Sequence, residues 1–169
     1  MSTQQIFGLQ VLLSFVVYAL LARWYVVPRL ALLPIGQALQ PLLALHAFRH
    51  LGMVFLVPTV VGGTLPPSFA LAAAYGDLLA GLLALAAIVA LRARAAIAIP
   101  LTWVFNVFGL LDLANAFYQG LSHDEQLGAA YYIPTFIVPA LVITHIMIFR
   151  LLLRHPLAAG GHLPAPSHM

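Results

Sequence analysis

The sequence predicts an all-α fold, namely a polytopic membrane protein built as a five-transmembrane-helix bundle. Of its 169 residues, 63% are hydrophobic and only 7% are charged, whereas soluble domains carry about 25% charged residues. The apolar residues fall into five runs, each near the roughly 20 residues that cross a bilayer core of about 30 Å. None of these runs alternates like a half-buried strand. Most of the chain is therefore expected to be surrounded by lipid.

The five runs are bounded by proline, glycine or charged residues. They cover residues 6–27, 41–62, 68–92, 96–119 and 129–153. These spans place residues 1–154 in one transmembrane domain. The remaining residues, 155–169, are rich in proline, glycine and histidine, and this composition predicts a flexible tail.

Prolines predict where the helices are irregular. The segment from Pro28 to Gln40 is interrupted by Pro28 and Pro34, and we expect it to lie along the membrane interface as a short amphipathic turn. The second and fifth predicted spans carry prolines in their interior, at positions 58, 134 and 139. Because each removes a backbone donor, kinks are expected there.

The arginines predict the orientation. If all five runs cross the membrane, six of the seven arginines fall on one side: Arg23, Arg29, Arg92, Arg94, Arg150 and Arg154. The positive-inside rule makes that side cytoplasmic. The N-terminus is then outside, and the tail is cytoplasmic. We expect a multi-pass protein of a bacterial inner membrane.

Composition excludes several kinds of chemistry. The chain has no cysteine, which removes disulfides, thiolate nucleophiles and cysteine-ligated metal centres. It also has no lysine, so lysine-based covalent chemistry is excluded. The formal net charge of +3 comes from arginines whose positions the membrane orientation explains, so no nucleic-acid partner is expected. The expected partners are the lipid bilayer and, as an open alternative, further copies of the chain or a larger membrane complex.

The second span carries ionisable residues at membrane depth. His46, Arg49 and His50 recur at spacings of three and four, which places them on one face of an α-helix. An arginine inside a span costs about 2.5–3.5 kcal/mol on insertion scales unless it is paired or hydrated. Asp77 in the third span is the first candidate counter-ion, and Asp112 in the fourth span is the second.

The fourth span has a polar stripe. Asn106 and Asp112 belong to a series that also contains Thr102, Gly109, Asn115 and Gln119, with spacings of three or four. A polar stripe in so apolar a chain is expected to face the bundle, either as hydrogen bonds between helices or as the lining of a wet cavity. The candidate ligand-binding residues are Arg49, His50, Asp77, Asn106 and Asp112.

Two histidines are expected at equal depth near the cytoplasmic side. The helical rise of about 1.5 Å per residue places His46 and His145 within about two turns of that end. They are the candidate metal ligands. They could serve as axial ligands of haem b, or, together with His50, as ligands of a single metal ion.

Three kinds of function remain open from the sequence. The first is a membrane protein that binds or transports a small ligand, coupled to protons through the aspartates and histidines. The second is a redox protein that binds haem b or a metal. The third is an accessory or assembly subunit without chemistry of its own. An enzyme is disfavoured. His50 could act as a general base oriented by Asp77, but the sequence shows no other catalytic motif.

Overall fold

The protein is all-helical throughout the residues that its computed structural model describes, which are 1–61, 65–120 and 127–154. Five helices are long and apolar enough to cross a membrane. They are α1 (Thr3–Leu30), α2 (Ile35–Leu56), α3 (Pro67–Arg92), α4 (Ala98–Gly120) and α5 (Gly128–Arg154). The tail predicted over residues 155–169 lies outside the described residues.

Helix α1 begins with a capping box. The Ser2 hydroxyl accepts a hydrogen bond from the backbone N–H of Gln5, and the Gln5 side chain accepts one from the backbone N–H of Ser2, so two donors at the free helix end are paired. Near its other end the helix passes through a π-helical turn, Ala22–Val26. Pro28 follows within the last α-helical turn, Val27–Leu30. A π-helical turn before Pro28 tolerates the absence of a backbone N–H on this proline. Helix α1 therefore continues to Leu30, and the prediction that an interfacial turn begins at Pro28 is wrong.

Helix α2 is displaced toward the N-terminus relative to the predicted span of 41–62. It begins at Ile35, directly after Pro34, whose fixed φ suits a helix start, and it carries Pro41 in its interior. From Phe48 to Leu56 it continues as a 3₁₀-helix. Pro58 therefore lies beyond the helix, and the kink predicted there inside a span is wrong.

Helix α5 contains the other two prolines that the sequence identifies. It opens with a 3₁₀ turn, Gly128–Tyr131, and a π-helical turn, Ile133–Ile137. Pro134 is in the π-helical turn, and Pro139 is in the first turn of the regular segment Val138–Arg154. Pro134 thus lies in the irregular part of the helix and Pro139 directly after it, at the start of a regular segment, where a missing donor breaks few hydrogen bonds.

The core has an apolar cluster at each end and polar residues between them. At one end the C-terminal halves of α1, α3 and α5 pack with the N-terminal halves of α2 and α4 around Leu39, Leu43, Phe105 and Ile148. This end also carries the six arginines named above, so we call it the arginine end. At the opposite, amino-terminal end, Phe55, Phe69 and Leu127 form a second cluster.

Helices α2 and α3 approach each other most closely beside the polar layer. A Cβ placed on Gly81 would lie 3.3 Å from the carbonyl oxygen of Ala47 and 3.4 Å from the backbone nitrogen of His50. Ala80, Ala84 and Ala87 on α3 are fully buried. Small residues let two helix backbones approach in this way, and the approach brings the polar side chains of α2 within reach of α3.

Candidate functional site

An arginine with two carboxylates forms the centre of the bundle. Arg49 Nε donates to Asp77 Oδ1 at 2.7 Å, and Arg49 Nη2 donates to Asp112 Oδ2 at 2.7 Å. We call these three residues the triad. The sequence predicted a partner for Arg49 in either Asp77 or Asp112, and the prediction is confirmed with both.

The triad is buried but not completely closed. The Arg49 side chain is 1% exposed, and each aspartate side chain is 13% exposed. Arg49 Nη1 also donates to the carbonyl oxygen of Gly109 at 2.8 Å. Every nitrogen of the guanidinium group therefore has an acceptor, as a buried cation requires, while one oxygen of each carboxylate is free of the arginine.

Three glycines make room for the triad. A Cβ on Gly52 would overlap the Asp77 carboxylate, and one on Gly76 would overlap the Asp112 carboxylate. A Cβ on Gly109 would lie 3.0 Å from Arg49 Nη1 and 2.9 Å from His145 Cε1. Each charged group thus packs on a helix backbone at a position where only glycine fits.

The 3₁₀ conformation of α2 decides which of its residues face the site. Side chains three apart are eclipsed in a 3₁₀-helix, and Arg49, Gly52 and Phe55 are the buried residues of this segment. His50 is consequently turned away. It is exposed, and its Nδ1 lies 2.9 Å from the carbonyl oxygen of Ala47 in its own helix. The prediction that His50 shares the face of Arg49 is therefore wrong, because it assumed an α-helical repeat.

Two histidines are in ring contact beside the triad, with their ring planes inclined at 47°. His46 and His145 are fully buried, their ring centroids are 4.1 Å apart, and both rings contact Phe105. We call them the histidine pair. Gly109 connects the pair to the triad, because its backbone lies against both Arg49 Nη1 and His145.

Hydrogen bonds fix the tautomer of His145. The Asn106 amide nitrogen lies 3.2 Å from the backbone carbonyl of His145 and donates to it. The Asn106 oxygen must then accept from His145 Nδ1, at 2.7 Å. His145 Nε2 is left as an unprotonated acceptor, and it is buried without a hydrogen-bond partner.

His46 is anchored through Thr144. The Thr144 hydroxyl lies 3.0 Å from His46 Nε2 and also within reach of the carbonyl oxygens of Ala140 and Leu141. When the hydroxyl donates to its own helix, as threonine commonly does, it accepts from His46 Nε2. His46 Nδ1 is then a second buried acceptor without a partner.

The histidine pair does not fit the cofactor roles that the sequence suggested. Bis-imidazole ligation places the porphyrin between the two rings, but the centroids of these rings are only 4.1 Å apart, which leaves no space for it. A metal ion held by His46, His50 and His145 also fails, since His50 is turned outward. Among the described residues no group of three or more histidine and carboxylate side chains is arranged to hold a metal ion.

A cavity of about 230 Å³ adjoins the triad. Arg49 and Asp77 form its polar wall, and Tyr18 contributes from α1. The other walls are apolar and come mainly from α2 and α5: Leu45, Phe48, Leu51, Gly52, Leu113, Ile133, Phe136, Ile137, Val138, Ala140 and Leu141. We call this space the central cavity. It offers one charged end and an otherwise hydrophobic interior.

Comparison with protein families gives one match. Residues 6–153 match the family described as Domain of unknown function (DUF8737). The chain belongs to this family. No curated protein and no solved structure matches it. For this DUF8737 protein, arguments about function therefore rest on its own residues.

The structure divides the candidate residues of this DUF8737 protein into three groups. Arg49, Asp77 and Asp112 form the triad, and Asn106 supports His145 in the histidine pair. His50 belongs to neither. Sequence reasoning missed Gly52 and Gly76 as space for the carboxylates, although glycine in a span opposite an ionisable residue is a usable signal of close approach.

Removing the arginine should destabilise the bundle. Arg49→Ala leaves two buried carboxylates without their cation, and breaking a buried ion pair in this way costs about 3–5 kcal/mol. Arg94→Ala, at the exposed arginine end, is the matched control and should change stability by less than about 1 kcal/mol. Unfolding of purified protein in mixed detergent micelles measures both, and equal stabilities would contradict the assignment of Arg49 to the core.

The glycine positions give an independent test of the packing. Gly52→Ala places a methyl group where the Asp77 carboxylate lies, and overpacking of this kind costs about 1–3 kcal/mol. Gly8→Ala is the control, because a Cβ there meets nothing within 4 Å, and it should be neutral or slightly stabilising. Thermal unfolding compares the two, and equal tolerance of both substitutions would show that Asp77 does not pack on Gly52.

Proposed function

We propose that this protein is an integral membrane protein that binds a small amphipathic ligand in the central cavity, with proton exchange at the triad. The ligand we infer has an apolar body and a positively charged or hydrogen-bond-donating end. We propose further that the protein transports this ligand across the membrane. The observation that carries it is the cavity of about 230 Å³ with Arg49 and Asp77 at one wall.

The size of the central cavity supports a ligand of a few carbon atoms beyond a single ring. An apolar cavity of about 150 Å³ is large enough to hold benzene. The lining side chains are mostly aliphatic and aromatic, which favours burial of a hydrophobic body. Arg49 and Asp77 then determine how the ligand is oriented.

The charge of the triad supports a ligand whose polar end is positively charged. Arg49 contributes one positive charge and the two aspartates contribute two negative charges, so the ionised triad carries one net negative charge. A buried net charge is costly in a low-dielectric interior. A proton or the cationic end of a ligand neutralises it, and competition between the two couples ligand binding to protons.

The central cavity also favours ligand binding over the redox alternative. Its lining contains neither His46 nor His145, and the contact between their rings excludes a haem between them. The accessory-subunit hypothesis gains no specific support from the geometry. Ligand binding is therefore the function that the described residues support best.

A matched set of aromatic probes tests this proposal. We expect 2-phenylethylamine to bind at least about tenfold more tightly than 2-phenylethanol, since charged hydrogen bonds are roughly twice as strong as neutral ones, and 3-phenylpropionate to bind most weakly. Asp77→Asn should remove the preference for the amine. Binding is measured by ligand-observed NMR on protein in lipid nanodiscs.

Two variants locate the binding of these probes. Ala140→Leu adds volume to a residue that lines the central cavity and should abolish amine binding. Ala72→Leu makes the same change at an exposed position on α3 and should leave binding unchanged. Tightest binding of the carboxylate, or amine binding that survives Ala140→Leu, would refute the proposal.

For orientation, we propose that the arginine end is cytoplasmic, in a bacterial inner membrane. The support is the asymmetry of the six arginines under the positive-inside rule. Because the chain has no cysteine, single cysteines report the two sides directly. Thr3→Cys should react with an impermeant maleimide in intact cells, and Ala96→Cys, in the turn after α3, should react only after lysis. The reverse pattern would show the opposite orientation.

A further inference from the structure

Two more cavities lie between the central cavity and the amino-terminal end. The outer one, of about 750 Å³, is lined by the first turns of α1 and by Phe117 of α4. The inner one, of about 30 Å³, is lined by Asp77 and by side chains from α1 to α5 and the segment before α5. A space of this size is large enough for a water molecule.

The three cavities form a series because neighbours share their lining residues. Phe7 and Phe117 line both the outer and the inner cavity. Asp77, Leu113, Ile133 and Val138 line both the inner and the central cavity. Two phenylalanine side chains thus separate the open end of the bundle from the space beside Asp77.

The arginine end offers no comparable series. Between the polar layer and that end, Leu39, Leu43, Phe105 and Ile148 are fully buried in one apolar cluster. The cavity found there, lined by Val27, Leu30, Met147 and the terminal arginines of α5, does not include any residue of the triad or the histidine pair. In the described part of the chain, the polar layer is therefore approached from the amino-terminal side.

Two acceptors lie deeper than the triad. His46 Nδ1 and His145 Nε2 lie beyond Arg49 as seen from the amino-terminal end, and neither has a hydrogen-bond partner among the described residues. The groups that face them are Arg49 from α2, Asn106 from α4 and Thr144 from α5, in addition to each other. The cavities themselves end at Arg49 and Asp77 and include neither histidine, so the triad is the innermost group that entering water or protons meet.

We propose that water and small cations reach Asp77 from the amino-terminal end only, by passing between Phe7 and Phe117, and that the route ends at the triad. This inference rests on the proposed function in one respect: it names the side of the protein from which the triad exchanges its proton or cation. It does not depend on which ligand the central cavity binds. The negative charge of the triad favours cations along the route.

Cysteine accessibility tests the route on proteoliposomes, using Ag⁺ as a thiol-reactive cation that fits a space of about 30 Å³, together with the larger cationic methanethiosulfonate reagent MTSET. Ala116→Cys lines the inner cavity and Val138→Cys lines both the inner and the central cavity. Both should be modified from the side on which Thr3→Cys reacts, and not from the side on which Ala96→Cys reacts. Ala87→Cys, fully buried in the arginine-end cluster, should remain unmodified from either side.

The charge and the two phenylalanines are tested separately. MTSET should modify Val138→Cys about tenfold faster than the anionic reagent MTSES, relative to their rates on Thr3→Cys, because a net negative site raises the local concentration of cations. Phe117→Ala should speed the modification of Ala116→Cys several-fold. Phe108→Ala, a partly buried phenylalanine on the same helix outside the three cavities, should not.

Modification of Ala116→Cys from the Ala96 side, or its absence from both sides in protein with a normal melting temperature, would overturn the route. Equal effects of Phe117→Ala and Phe108→Ala would remove the two phenylalanines from it. Neither result bears on whether 2-phenylethylamine binds in the central cavity, which is measured separately. Failure of the route and failure of the proposed function are thus distinguished.

Discussion

The triad of Arg49, Asp77 and Asp112, which joins three helices, is the interaction on which the rest of the bundle depends. A guanidinium group from α2 bonds to a carboxylate from α3, a carboxylate from α4 and a backbone carbonyl of α4. In a low-dielectric interior none of these charges is tolerated alone. These hydrogen bonds therefore restrict how the three helices can be placed relative to one another. The glycines at 52, 76 and 109 allow this arrangement, because a Cβ at any of them would collide with a side chain of the site.

The fixed cluster also determines the shape of the neighbouring space. Arg49 extends toward α3 and α4, so the space beside it between α2 and α5 is lined mainly by apolar side chains and is left partly empty. The histidine pair sits on the other side of Gly109, against Phe105. A charged wall, an apolar cavity and a buried pair of acceptors are thus consequences of where one side chain points.

Composition and charge were sufficient to predict five membrane-length helices and the partners of Arg49. Apolar run length is a strong signal, and a buried arginine has few candidates for a counter-ion in a chain with four acidic residues. The bounds of α2 and the direction of His50 were not predictable in this way, because the sequence was interpreted with an α-helical repeat and the segment Phe48–Leu56 is a 3₁₀-helix. The ring contact between His46 and His145 depends on the rotation of two helices about their axes, which depth alone does not determine.

The sequence distance between the members of the ion cluster has a consequence for biosynthesis. Asp77 and Asp112 follow Arg49 by 28 and 63 residues, so a ribosome that makes the chain from its N-terminus delivers the cation long before its counter-ions. Helix α2 also has the lowest mean hydropathy of the five, 1.2. Inserted alone, α2 leaves its arginine unpaired in lipid, at a cost of about 2.5–3.5 kcal/mol on insertion scales. That cost is offset only once α3 and α4 have arrived with their carboxylates, so the stable insertion of α2 is coupled to theirs.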